Sequence, residues 1–165
     1  MAIMQVSRKI DYALRAVIHL ANEETSDRAC SVAEIAARER VPRQFLEKIV
    51  RELIHKGLVR SRRGPHGGYV LARPADRVTF RDVIEAVEGP ISLNVCVGEH
   101  PDCFLLGACG MNRIWREGQR RVMDLFENTT IADVRHPPIP ADAASPALNT
   151  APQASSKLTI VGTLP

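Results

Sequence analysis

The most constraining stretch of the sequence lies between Ser31 and Leu71, where signals for two short helices and a hairpin follow one another. Ser31-Val32-Ala33-Glu34 has the spacing of a capping box, in which the Ser31 hydroxyl and the Glu34 carboxylate satisfy each other's free backbone donors. It opens a short helix expected to reach about Arg38. Arg40 and Val41 form the turn that follows, and Pro42 suits the first turn of the next helix, where its missing donor would be unpaired anyway. Phe45, Leu46, Ile49, Val50 and Leu53 give that helix a stripe expected to be buried, and Gly57 marks its end. Leu58-Val59-Arg60-Ser61-Arg62 and Tyr69-Val70-Leu71 read as strands joined through Gly64-Pro65-His66-Gly67-Gly68. Upstream, Ile10, Leu14, Val17 and Ala21 recur at helical spacing, which predicts a helix from Ser7, its N-cap, to about Asn22.

The expected fold is therefore mainly α with a small β-hairpin wing, a winged helix-turn-helix followed by a long C-terminal helix. Two short helices around a tight turn let the second one enter a DNA major groove. Arg43, Gln44, Lys48 and Arg51 are the candidates on its free face. Arg43 and Gln44, at the helix start, can reach base edges bidentately, whereas Lys48 and Arg51 suit phosphates. In the hairpin, Arg60, Arg62, Arg63 and His66 supply charge, and the glycines let the backbone approach a phosphate or a minor groove. The bland alternatives are a solvated helix face and a hairpin that merely has a glycine-rich turn.

Charge polarity favours the first half as the face toward a polyanion. Residues 1–77 hold 15 Lys/Arg against 9 Asp/Glu, and residues 78–165 hold 7 against 10. No run approaches the roughly 20 apolar residues of a membrane span, and Arg8, Lys9, Asp11 and Arg15 stand where a secretory peptide needs an apolar stretch. The chain is expected to be cytoplasmic, without membrane contact and with reduced thiols. No phosphate loop, zinc-spaced His-Glu pair or nucleophile elbow is present, which argues against an enzyme.

Thr79-Phe80-Arg81-Asp82 opens a further helix that stops at Gly89-Pro90. A loop then carries Cys96, Cys103 and Cys109, with six and then five residues between them. Three thiolates on a glycine-containing loop can converge on one soft metal centre, although paired zinc knuckles want two intervening residues. Cys30, far from the trio, reads as a small apolar filler. Met111, Trp115, Gly118, Val122 and Leu125 then form a coiled-coil-like seam on a helix from Met111 to Asn128. A second copy of the chain is its expected cover, with the winged domain as the alternative. Gly118 suggests close helix approach. Residues 137–165 hold 6 of the 11 prolines and no aromatic, the composition of a flexible tail. The expected division is 1–77 for DNA binding, 78–135 for the cysteine loop and dimerisation helix, and 136–165 for the tail.

Over about residues 4–135 the chain resembles the Rrf2 family of bacterial winged-helix regulators, the group that includes the IscR, NsrR and RirA types. The resemblance rests on Asp11-Tyr12-Ala13-Leu14-Arg15-Ala16, on Arg63-Gly64-Pro65-His66-Gly67-Gly68-Tyr69, on the three loop cysteines and on Thr130-Ile131-Ala132-Asp133-Val134. It implies a homodimeric transcription factor, read as a repressor, in which Cys96, Cys103 and Cys109 hold an iron-sulfur cluster. Operator affinity would then follow redox, nitric oxide or iron status. The cluster is read as 4Fe-4S, with 2Fe-2S as the other form. The IscR type takes its fourth ligand from a histidine three residues after the last cysteine, where this chain has Asn112. Asp11 matches the helix acid that NsrR-type proteins supply from the partner subunit, with an i,i+4 ion pair to Arg15 as its ordinary role. Glu99, His100 and Asp102 are further oxygen or nitrogen donors within the loop. The alternative function is a thiol- or zinc-dependent protein-interaction module without an iron-sulfur cluster.

Overall fold

The computed structural model describes residues 6–26 and 28–135; the expected tail lies outside them. Five helices and one hairpin follow in order: α1 (Arg8–Asn22), α2 (Val32–Glu39), α3 (Arg43–His55), β1 (Val59–Arg62), β2 (Gly68–Leu71), α4 (Phe80–Glu88) and α5 (Asn112–Asn128). Single turns of tighter helix stand at Glu24–Ser26, Ala75–Arg77 and Val95–Val97. Among the described residues no helix is long and apolar enough to cross a membrane.

The caps explain where the helices begin. Ser7 Oγ accepts a bond from the Ile10 N–H at 3.2 Å, and Ser31 Oγ accepts one from the Glu34 N–H at 3.1 Å. The Glu34 carboxylate does not close the expected box; it pairs with Arg28, whose charged guanidinium is a stronger donor than a backbone amide. α2 ends on Arg40 in the left-handed conformation, φ 54°. Pro42 stands one position earlier than expected, at the N-cap of α3, where its carbonyl accepts from the Phe45 and Leu46 N–H groups at 3.0 and 3.1 Å.

One core joins these elements. Ala13, Val17 and Leu20 of α1, Ile35 of α2, Leu46, Ile49, Val50 and Leu53 of α3, and Val83 and Val87 of α4 are all buried together with Val59 of the hairpin. Phe45 is the exception to the expected stripe, at 60% exposure. Leu46, Ile49, Val50 and Leu53 already fill the inward face at i, i+3, i+4 and i+7, and Phe45 is turned about 100° away from Leu46.

The hairpin is an antiparallel pair with Val59 opposite Leu71 and Arg62 opposite Gly68. Gly64 turns it at φ 121°, a conformation that favours glycine. Cys30 extends the pairing as a third short segment: its N–H donates to the Tyr69 carbonyl at 3.0 Å and its carbonyl accepts from the Tyr69 N–H at 2.8 Å. Gly68 permits that approach, since a Cβ there would lie 2.6 Å from the Cys30 oxygen. The wing is thereby anchored to the segment that leads into α2.

α4 begins with a complete capping box between Thr79 and Asp82. α5 lies against it, with the Phe80 and Phe126 rings 5.2 Å apart. Beyond α5 the chain returns to the core: the Phe80 N–H donates to the Thr129 carbonyl and the Ile131 N–H to the Val78 carbonyl, each at 2.8 Å, and Ile131 is fully buried. Ile131→Ala is expected to cost about 2–5 kcal/mol, measured by urea denaturation, because the cavity it leaves is enclosed by rigid neighbours. A loss below about 0.5 kcal/mol would mean that this segment does not belong to the core.

Candidate nucleic-acid interface and cysteine loop

The outward face of α3 carries Arg43, Gln44, Lys48 and Arg51, all exposed. Arg43 is held by Glu47 at 2.9 Å, one helical turn on, which orients the guanidinium along the helix. A groove of about 480 Å³ runs between the start of α2, this face and the wing, lined by Ser31, Arg43, Glu47, Arg51 and Tyr69. Arg60, Arg63 and His66 project from the hairpin as exposed side chains, while Arg62 is half-buried and already engaged within the chain. α3 thus presents Arg43 and Arg51 to the groove, the wing closes it with Gly68 and Tyr69, and Arg60, Arg63 and His66 stand exposed outside its lining. Phe45 follows Arg43 and Gln44 on α3, and counting it into the apolar stripe hid it. Its place one residue before the i, i+3, i+4 pattern is the signal that marked it as outward.

The three loop cysteines are half-buried free thiols. Cys96 lies in the turn Val95–Val97, and Cys109 precedes α5, its carbonyl accepting from the Asn112 N–H at 3.1 Å. Gln119 of α5 fixes the start of the loop: its Nε2 donates to the Ile91 carbonyl at 2.7 Å and its Oε1 accepts from the Leu93 N–H at 2.9 Å. Between the second and third cysteines, Phe104 is 96% exposed, and Leu105 and Leu106 are also exposed. The Asn112 Nδ2 is buried without a hydrogen-bond partner. Asp11 pairs with Arg15 at 2.9 Å, and nearly half of its side chain remains exposed.

The thiols of the trio are not drawn up to single-ion distances. Among the described residues, three ligand atoms within 4.8 Å of one another occur instead at His19, Cys30 and Glu34. His19 is buried, and its Nδ1 lies 2.9 Å from Glu39 Oε1, itself buried. The neighbouring Cys30 sulfur, and after it Glu39, raise the ring's proton affinity to about 9 against the opposing effect of burial. Sequence periodicity passed over this group because His19 falls off the stripe of Ile10, Leu14, Val17 and Ala21.

The seam of α5 is uncovered. Met111 and Leu125 of the seam are each more than 60% exposed, as is Ile114 beside them, while Trp115 and Val122 are half-exposed. Gln119, Phe126 and Glu127 make contacts to the rest of the chain from other positions on the helix. Gly118 lies beside the chain's own Leu93, where an added Cβ would stand 3.4 Å away, so no contact within the chain demands a glycine.

Comparison with known proteins agrees with this architecture. The family model of Rrf2, described as "Iron-dependent Transcriptional regulator", matches residues 6–137. A protein of Aquifex aeolicus named as an HTH-type transcriptional regulator is 35% identical over 133 residues, spanning 79% of this chain and 91% of that protein. Among solved structures, CymR of B. subtilis, titled the global cysteine regulator of that organism, is 30% identical with a TM-score of 0.67, covering 81% of this chain and 97% of CymR. T. potens IscR is 26% identical with a TM-score of 0.65, covering 79% of this chain and 85% of IscR. The two solved structures share the fold over about four fifths of this chain. The chain belongs to the Rrf2 family: it is a winged-helix transcriptional regulator and not an enzyme.

Proposed function

We propose that this regulator is a cytoplasmic homodimeric repressor that binds a palindromic operator and holds an iron-sulfur cluster on Cys96, Cys103 and Cys109. Residues 1–77 read DNA, residues 78–135 carry the cluster loop and the dimer helix, and residues 136–165 form an appended tail. The observation that carries the reading is the loop itself: three free thiols between α4 and α5, with a buried, unpartnered amide at Asn112 three residues after the last. Three soft sulfur donors suit iron, and an orphaned N–H donor suits a sulfide or thiolate acceptor, so the residues present fit the group. Asp11 of the partner subunit completes the set for a 4Fe-4S cluster, its exposed carboxylate turning from Arg15; a 2Fe-2S cluster is the lesser alternative. When bound, the cluster supplies iron-sulfur bonds sensitive to oxidants, nitric oxide and iron supply. Phe104, Leu105 and Leu106 give the loop an exposed apolar rim between its second and third cysteines.

On the DNA side, Arg43 and Gln44 read base edges, Phe45 meets a thymine methyl, and Lys48 and Arg51 hold phosphates. Arg60, Arg62, Arg63 and His66 place the wing on the backbone or in the minor groove. Arg43→Ala and Gln44→Ala are expected to lose about 1–3 kcal/mol of discrimination between selected and random duplexes. Arg63→Ala is expected to weaken binding to both and to reduce the salt slope by about one unit. Equal losses on both duplexes for all three variants would remove the division between base reading and phosphate contact. The cluster is tested by anaerobic purification with counting of iron and acid-labile sulfide: about four of each per chain supports the 4Fe-4S form. Stoichiometric zinc without sulfide would turn the reading to the interaction module.

A further inference from the structure

We propose that His19, Cys30 and Glu34 form a second metal site, inside the DNA-binding half, that takes one zinc-class divalent cation. One ring nitrogen, the Cys30 sulfur and a Glu34 oxygen lie within 4.8 Å of one another. Ligands of tetrahedral zinc stand about 3.5 Å apart, given bonds of about 2.0–2.3 Å, so shifts of about an ångström close the set.

Two independent features point to a cation there. His19 is only 9% exposed and its Nε2 is buried with no hydrogen-bond partner. Its Nδ1 is taken by the buried Glu39 carboxylate at 2.9 Å, the carboxylate–histidine pairing that orients a ligating imidazole and leaves Nε2 for the metal. Arg28 holds Glu34 through Oε1, which leaves a second carboxylate oxygen for the metal. A cavity of about 260 Å³ lined by His19, Asn22, Glu34 and Glu39, with Arg28 and Arg38 also on its walls and Cys30 behind it, leaves space for a water as fourth ligand.

The position gives the site a consequence. His19 comes from α1 and Glu34 from α2, and the Cys30 backbone is paired with Tyr69 of the wing. A cation there would tie the first helix, the start of the helix-turn-helix and the wing at one point, independently of the loop cysteines.

The test uses the full chain with Cys96, Cys103 and Cys109 all replaced by serine, so that the loop holds no metal. Cobalt(II) is added as the probe, followed by zinc in competition with a chromogenic chelator. The expected result is one cobalt per chain with tetrahedral visible bands and a thiolate-to-metal band in the near ultraviolet, displaced by one zinc. Adding Cys30→Ser should abolish the thiolate band. Glu39→Gln should weaken zinc about 10–100-fold while keeping that band, the mark of a residue that orients a ligand. Glu34→Gln, at a partly exposed position, should weaken zinc at least as much with an unchanged far-ultraviolet spectrum, and it decides the matter if Cys30→Ser does not fold. Absence of a tetrahedral cobalt spectrum in the starting variant, or zinc affinity unchanged by Glu34→Gln, would overturn the proposal.

Discussion

Replacing any one of Cys96, Cys103 or Cys109 by alanine is expected to leave the anaerobically purified protein colourless and free of iron and sulfide. Losing one thiolate from a three-thiolate site opens an iron to water and oxidation, and the loop offers no fourth sulfur to replace it. The fold should survive each change, because all three side chains are half-exposed and none belongs to the buried core. Cys30→Ala should keep the chromophore, since Cys30 is buried beside His19 and paired with the wing, away from the loop. Asp11→Ala should give a cluster that forms but is lost faster in air. Bleaching by Cys30→Ala, with colour retained in Cys103→Ala, would show that the ligands had been misassigned.

The second large effect concerns α5. Ile114→Asp or Leu125→Asp is expected to yield a monomer by sedimentation, with operator affinity reduced roughly a thousand-fold or more as one of two half-sites is lost. Both side chains are over 60% exposed in the single chain, so a charge there costs little unless a second copy covers the seam. Thermal unfolding of the monomeric variant should still be cooperative, because α1 to α4 and Ile131 form their core without that face. A variant that remains dimeric would move the dimer contact elsewhere.

Much of this architecture was legible in the sequence because it depends on local chemistry. Ser7, Ser31 and Thr79 announced helix starts, and the inward stripe of Leu46, Ile49, Val50 and Leu53 announced α3. The glycines between Arg63 and Tyr69 announced the hairpin turn. The interactions that escaped were made across the fold. Glu34 satisfies the local cap rule on paper, yet Arg28 takes its carboxylate. Phe45 is apolar and adjacent to the stripe, but helical geometry turns it outward, so residue type misled where angle did not. His19 and Glu39 are twenty residues apart on different helices, and only their packing brings them to 2.9 Å. The burial of Ile131 likewise follows from the chain's return to Val78.

In the proposed mechanism the cluster loop governs DNA binding. The direct measurement is a titration at fixed salt of a duplex selected by this protein from a random library, using the cluster-loaded and the cluster-free chain prepared from the same anaerobic batch. The account predicts at least about a ten-fold difference in Kd on the selected duplex, equivalent to ~1.4 kcal/mol of coupling, with little difference on random DNA. Operator DNA should then slow cluster loss if the loaded form binds tighter, because the linkage is reciprocal. Equal Kd values for the loaded and cluster-free chains would contradict it.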